Sequence, residues 1–148
     1  MPIRRAEQAD LTGWVDLRAR LWPDTSRDAH WVEAAALLAH SPRQFIVFLD
    51  IGHDARPRAF AEAALRHDHV NGCDTSPVAF LEGIYVRPDV QGAGIGRALL
   101  DAVQGWARDR GCAELASDAD IDNTASHAFH RAVGLHEAQR VVFFRKML

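Results

Sequence analysis

The chain has 148 residues, the length of one domain with its own core. Hydrophobic residues make up 48% and charged residues 25%, ordinary globular values, and the formal net charge of -3 gives no reason to expect a nucleic-acid partner. No run approaches the ~18 apolar residues that cross a membrane, and Met1-Pro2-Ile3-Arg4-Arg5 lacks the apolar stretch of a signal peptide, so a cytoplasmic protein with Cys73 and Cys112 reduced is expected.

Ile3 to Ala6 reads as a short first strand. From Ala9 to Leu21 the apolar positions Leu11, Trp14, Val15, Leu17 and Leu21 recur at helical spacing, and Pro23 stops the helix. Thr25-Ser26-Arg27-Asp28 has the spacing of a capping box. It opens a second helix through Trp31, Val32, Ala35, Leu37 and Leu38 that ends before Pro42. Gln44 to Leu49 is rich in strand formers, Asp50 to Pro57 is a polar turn, and Ala59 to Leu65 is a strand weakened by its alanines. His67 to Pro77 is a longer loop with a turn at Asn71-Gly72.

Val78 to Val86 is a strongly apolar strand interrupted by Glu82-Gly83, and a glycine there marks a bulge or a close backbone approach. The next helix carries Ile95, Leu99, Leu100, Val103, Trp106 and Ala107 on one face, with Arg97, Asp101, Gln104 and Arg108 on the other, and closes at Gly111. Cys112 to Ser117 is a short strand, Asn123 to Ala132 a last helix closed by Gly134, and Val141 to Phe144 a final strand. The order β-α-α-β-β-β-α-β-α-β predicts a mixed α/β (α+β) domain over residues 1–148, antiparallel in its first half with a crossover in its second.

The informative stretch lies between that apolar strand and its helix: Gln91-Gly92-Ala93-Gly94-Ile95-Gly96-Arg97. Free amides and the dipole at a helix start bind anions, and glycines let a diphosphate come close to the backbone. Arg97 adds a charge beside it. A P-loop would need Gly-Lys-Ser/Thr, whereas Gly96 is followed by Arg97-Ala98. Gly92, Gly94 and Gly96 are spaced G-x-G-x-G, which also fails the dinucleotide fingerprint.

The pattern Gln91-x-x-Gly94-x-Gly96 resembles the pyrophosphate signature of the GNAT superfamily of N-acetyltransferases. Leu81-Glu82-Gly83-Ile84-Tyr85-Val86 is similar to the strand that, in those proteins, splays at a bulge and pairs with the pantetheine arm. Asn123, followed by His130 and Gly134-Leu135, is similar to their later helix, with histidine where tyrosine is commoner. The resemblance implies the GNAT fold, a mixed, mostly antiparallel central sheet flanked by about four helices. It also implies acetyl-CoA as cosubstrate, held by Ile84, Tyr85, Val86, Gln91, Gly92, Ala93, Gly94, Ile95, Gly96, Arg97 and Asn123.

Leu21-Trp22-Pro23, the loop from Arg66 to Asp74, Phe80 to Ile84, Ala116-Ser117-Asp118 and Arg140 to Lys146 resemble one branch, the aminoglycoside 6'-N-acetyltransferases. His69 stands where that branch tends to have tyrosine, and Gln139 where it can have an acid. A polycationic amine needs several carboxylates, because one exposed ion pair gives only ~0.2–1 kcal/mol. The expected substrate contacts are Trp22, His69, Asp74, Glu82, Asp118, Glu137 and Gln139. Glu82 would take the amine's proton, Asp118 would orient the amine, and His130 would supply a proton to the leaving thiolate or only touch CoA. No metal is expected, since the histidine pairs 67/69 and 127/130 lack further ligands. The branch implies a homodimer whose terminal strands shape the partner's site. Two other readings stay open: a GNAT enzyme for another small amine or a peptide N-terminus, and a non-catalytic acyl-CoA sensor.

Overall fold

The computed structural model describes residues 3–148; residues 1 and 2 lie outside the described residues. Five strands form one sheet in chain order: β1 (Ile3–Arg5), β2 (Phe45–Ile51), β3 (Pro57–Arg66), β4 (Val78–Val86) and β5 (Leu115–Ser117). The first four pair antiparallel, and β4 pairs parallel with β5, so the expected mixed sheet is observed. The weak strand formers of β3 are explained by its place at the centre of the sheet. Ala59, Ala61 and Ala63 are fully buried and let a helix pack close against them.

Helices α1 (Leu11–Leu21) and α2 (Arg27–Ala39) cover one face. Leu11, Trp14, Val15 and Leu17 bury there against Val47, Leu49 and Phe60. Helix α3 (Ile95–Asp109) covers the other face through Ile95, Leu99, Leu100, Val103 and Trp106. Helix α4 (Thr124–Ala132) follows β5 and is capped by Asn123, whose Oδ1 accepts from the Ser126 amide at 3.1 Å. At α2 the cap is Ser26, one residue later than the expected box places it, with Oγ accepting from the Ala29 amide at 3.1 Å. Gly111 ends α3 at φ +83, the left-handed closure its sequence position predicts.

Two departures from regular pairing shape the site. Between β3 and β4 the register passes from Glu62↔Gly83 to Ala63↔Leu81, which leaves Glu82 as the extra, unpaired residue. The facing of side chains inverts there: Ala79 and Leu81 pack toward α3, and beyond the bulge it is Ile84 and Val86 that do so. The second departure is at the β4–β5 edge. The parallel ladder stops at Leu81↔Ser117, while β4 runs on to Val86 paired with β3 alone, with no strand among the described residues along its other edge.

The final strand expected at Val141 to Phe144 is not formed. Residues 135–148 have no regular secondary structure, and Val142, Phe143 and Phe144 are 77%, 88% and 92% exposed. An extended run gains ladder hydrogen bonds only when an edge receives it, and within the one chain no edge does.

Candidate active site

A cavity of about 310 Å³ opens between α1, α2 and the bulged part of the sheet, lined by Arg18, Trp22, His30, Glu33, Glu62 and Glu82 among others. Trp22 follows the last turn of α1 and lies edge-on to Phe60, with ring centroids 6.1 Å apart. Its backbone carbonyl accepts from His30 Nε2 at 2.9 Å. The ring sits directly over the bulge: a Cβ placed on Gly83 would be 2.6 Å from Trp22 Cη2 and Cζ2. Only glycine leaves room for the indole beside Glu82.

Glu82 is part-buried, and its carboxylate accepts from Arg66 Nη2 at 3.0 and 3.3 Å. The Arg66 guanidinium in turn lies 3.7 Å from the centre of the Phe80 ring. Deeper in the cavity Glu62 is 3% exposed and Arg18 2% exposed. Glu62 Oε1 accepts from Arg18 Nη1 and from Trp14 Nε1. Arg18 also reaches Glu33 at 2.7 Å on the rim and lies 4.9 Å from the centre of the Trp22 ring. Burial pushes the Glu62 carboxyl up to about 7, against the opposing pull of Arg18 and the Trp14 N–H. Three carboxylates and one arginine therefore line a pocket with an aromatic wall, which suits a cationic, polyhydroxylated guest.

On the far side of β4 the glycine turn leads into α3. Gly92 and Gly94 have φ of +83 and +82, which only glycine adopts freely, and Gly94 is the residue that caps α3. Gln91 Nε2 donates to the Val86 carbonyl at 3.0 Å and ties the turn to the end of β4. Gly96 has a different task, since a Cβ there would come within 2.8 Å of Phe129 Cε1, so its absence lets α4 pack on the turn. The first turn of α3 carries no acid. Exposed amides, left-handed glycines and no opposing charge fit a diphosphate.

The sequence matches the acetyltransferase (GNAT) family profile over residues 9–135. The chain belongs to the GNAT acetyltransferase family. Among GNAT relatives it is similar to the aminoglycoside N(6')-acetyltransferase type 1 of Stenotrophomonas maltophilia, with 51% identity covering 99% of this chain and 93% of the relative. The protein of that name from Acinetobacter genomosp. 13 is 46% identical, covering 99% and 96%. Among solved structures, the aminoglycoside 6'-N-acetyltransferase AAC(6')-IG of Acinetobacter haemolyticus superimposes with a TM-score of 0.94 at 40% identity, covering 100% and 99%. AAC(6')-Iy in complex with a CoA-aminoglycoside bisubstrate analogue gives 0.91 at 41%, covering 99% and 97%.

In this GNAT chain the residues expected to meet the amine fall in three places. Trp22 and Glu82 share the cavity. Asp118 directly follows the last residue of β5, exposed, at the mouth of the opening between β4 and β5. His69, Asp74, Glu137 and Gln139 are exposed and belong to the 67–77 loop and the segment after α4. These two stretches touch, since a Cβ on Gly72 would lie 2.7 Å from that of Ala138. Glu114 fixes the loop by accepting from the Thr75 hydroxyl and from the Asp74 and Thr75 amides at 2.9 and 2.8 Å, and those bonds, the hydroxyl's foremost, hold its carboxyl below the ordinary value. Arg140 pairs with Glu137 and lowers it likewise. Of the residues expected to hold CoA, Arg97 donates to the Ala132 carbonyl at 2.6 Å, and Asn123 caps α4. His130 is held between Ser126 and Ser117.

Arg18, His30, Glu33, Glu62, Arg66 and Ser117 were not singled out from the sequence. Two of them carried a signal. Glu62 is an acid inside the apolar run Ala59 to Leu65, the same feature that marked Glu82, and Arg18 sits on the apolar stripe of α1 between Trp14 and Leu21.

Proposed function

We propose that this chain transfers the acetyl group of acetyl-CoA to the 6'-amino group of aminoglycoside antibiotics, and so confers resistance to them. The observation that carries the reading is Glu82, the unpaired residue of the bulge, facing a carboxylate-lined cavity walled by Trp22. Relatives and solved structures bearing that activity in their names span the whole length of the chain.

The amides at the head of α3, with Gly92 and Gly94 in left-handed conformation, would hold the diphosphate of acetyl-CoA. The β4 edge from Ile84 to Val86, free of a strand partner, would pair with the pantetheine arm. Acetyl-CoA supplies an already activated acyl group, so no covalent intermediate on the protein is needed. A substrate ammonium resembles lysine, with an ordinary pKa of ~10.4, and must lose a proton before it attacks. Glu82 accepts that proton directly or through water, while Asp118 orients the amine and backbone amides between Ile84 and Val86 polarise the thioester carbonyl. Glu33 on the cavity rim attracts another ammonium group.

The same reading includes a homodimer. The exposed apolar run Val141 to Phe144 is a strand without an edge, and the partner subunit's sheet is the edge that would receive it.

Acetyl-CoA turnover followed as free thiol release, with kanamycin or tobramycin as acceptor, tests the reading in the wild type and in Glu82→Gln. Release that requires the drug and falls in the variant supports both the substrate and Glu82's part. Drug-dependent release unchanged in the variant refutes the proton route alone. Acetyl-CoA binding without release on any aminoglycoside refutes the substrate.

A further inference from the structure

A chain of hydrogen bonds crosses from α4 to β4 at the point where β4 and β5 part. His130 Nδ1 lies 2.6 Å from the backbone carbonyl oxygen of Ser126, nearer than the Ser126 hydroxyl at 3.3 Å. A carbonyl only accepts, so Nδ1 carries the hydrogen, and in the neutral ring Nε2 is a bare lone pair. That lone pair faces the hydroxyl of Ser117 at 2.9 Å. The same hydroxyl lies 3.3 Å from the Leu81 carbonyl, one residue before Glu82. Its single hydrogen goes to Nε2 while the ring is neutral, and is free for Leu81 or the cleft once the ring is doubly protonated and Nε2–H donates to Oγ. Ser117 thus covers the only ring nitrogen of His130 that is free to exchange a proton with the cleft. The sequence left His130 either to protonate the leaving sulfur itself or only to touch CoA, and the Ser117 hydroxyl beside Nε2 offers a third part.

The position matters as much as the pairing. Ser117 ends the parallel ladder opposite Leu81, and its chain neighbour is Asp118. Phe129, the residue before His130, packs on Gly96 of the glycine turn. A thioester whose diphosphate rests on that turn and whose acyl group reaches Glu82 carries its sulfur past this apex.

Resting on the acetyl-transfer reading above, we propose that Ser117 is the group that protonates the departing sulfur and that His130 recharges it. As the C–S bond breaks, its electron pair stays on sulfur, which takes the hydrogen of the Ser117 hydroxyl. Ser117 Oγ takes the Nε2 hydrogen of the doubly protonated imidazole, leaving a neutral ring still bonded through Nδ1–H to Ser126. The ammonium sheds two protons in becoming an amide N–H. One balances the proton placed on sulfur, and the other passes to solvent. The ring regains its proton from water before the next turnover. Ser117 is here the catalytic residue, and His130 is a positioning residue that acts through it.

The test compares Ser117→Ala, Ser117→Thr, His130→Gln and the Ala/Gln double variant. Single-turnover thiol release with tobramycin reads the chemical step, and imidazole nitrogen NMR of the free protein reads the pairing. Ser117→Ala is expected to slow release on the order of 10²-fold with KM for both substrates unchanged. Ser117→Thr, which keeps the hydroxyl, restores most of the rate, and the double variant is no slower than the slower single. In the spectrum the neutral ring carries hydrogen on Nδ1, and Ser117→Ala moves the Nε2 signal alone. A full rate in Ser117→Ala, losses that multiply in the double variant, or a neutral ring protonated on Nε2 would each overturn the proposal. Should the wild type acetylate no aminoglycoside, the substrate reading falls, and the imidazole spectrum still decides the Ser117–His130 pairing.

Discussion

Replacing Glu62 by glutamine should make the protein's stability less dependent on pH. Glu62 is buried under Trp22 and Arg18, and its carboxyl is raised from 4.5 to about 7, with burial as the largest cause. A folded-state value above the unfolded one means that the native protein holds this proton more tightly. The associated stability is fully present below about pH 4.5 and is lost as pH rises through about 7. Each unit is worth ~1.4 kcal/mol, so the loss is about 3 kcal/mol, most of it between about pH 5 and about pH 7. Glutamine keeps the oxygen that accepts from Arg18 Nη1 and Trp14 Nε1 and does not titrate. Urea unfolding of both proteins across this range is the assay. The stability gap is expected to widen in favour of Glu62→Gln by roughly 3 kcal/mol as pH rises. Parallel curves, or a variant that loses ground with rising pH, would show that Glu62 is ionised throughout and refute the reasoning.

Gly83→Ala places a methyl group 2.6 Å from the Trp22 ring, so it should cost about 1–3 kcal/mol in unfolding experiments. It should also raise KM for the amine while leaving that for acetyl-CoA unchanged. Gly94→Ala forces a side chain into φ +82, at a cost of about 1–2 kcal/mol, and calorimetric titration should show weaker acetyl-CoA binding with the amine site intact. Phe143→Asp together with Phe144→Asp should shift the protein from dimer to monomer in sedimentation, and a wild type that sediments as a monomer would refute the arm's assigned role.

The sequence was most legible where structure is local. The α3 face, the left-handed closure at Gly111 and the glycine turn all follow from spacings within a few residues, because helical period and positive φ are properties of the chain itself. The capping site shifted by one residue because Thr25 and Ser26 are both competent caps, and only the path of the chain after Pro23 chooses Ser26. Glu82 stood out as an acid in an apolar strand. Glu62 offered the same signal and was passed over, since its meaning depends on Arg18, which is 44 residues away and is brought there by the packing of α1 on β3. Ser117 was read only as part of Ala116-Ser117-Asp118, with no role of its own, because its partner His130 lies on another element and their pairing is set by the packing of α4 beside β5. The final strand failed for a different reason: its apolar pattern is real, but the edge it requires is not in its own chain.

The extra residue in β4 also bears on how this site changes under mutation. Deleting one codon at Glu82 would restore an uninterrupted ladder with β3 and would remove the proposed proton acceptor in the same event. Gly83, Ile84 and Val86 would stay opposite Glu62, Ala61 and Ala59, so the apolar contacts with α3 would survive while the acid is lost. A point substitution at this position can tune the chemistry, whereas loss of a paired residue on either side of the bulge would turn the side chains beyond it to the opposite face and cost the packing. Drift in this lineage is therefore expected to preserve the spacing between Phe80 and the glycine turn even where side chains vary.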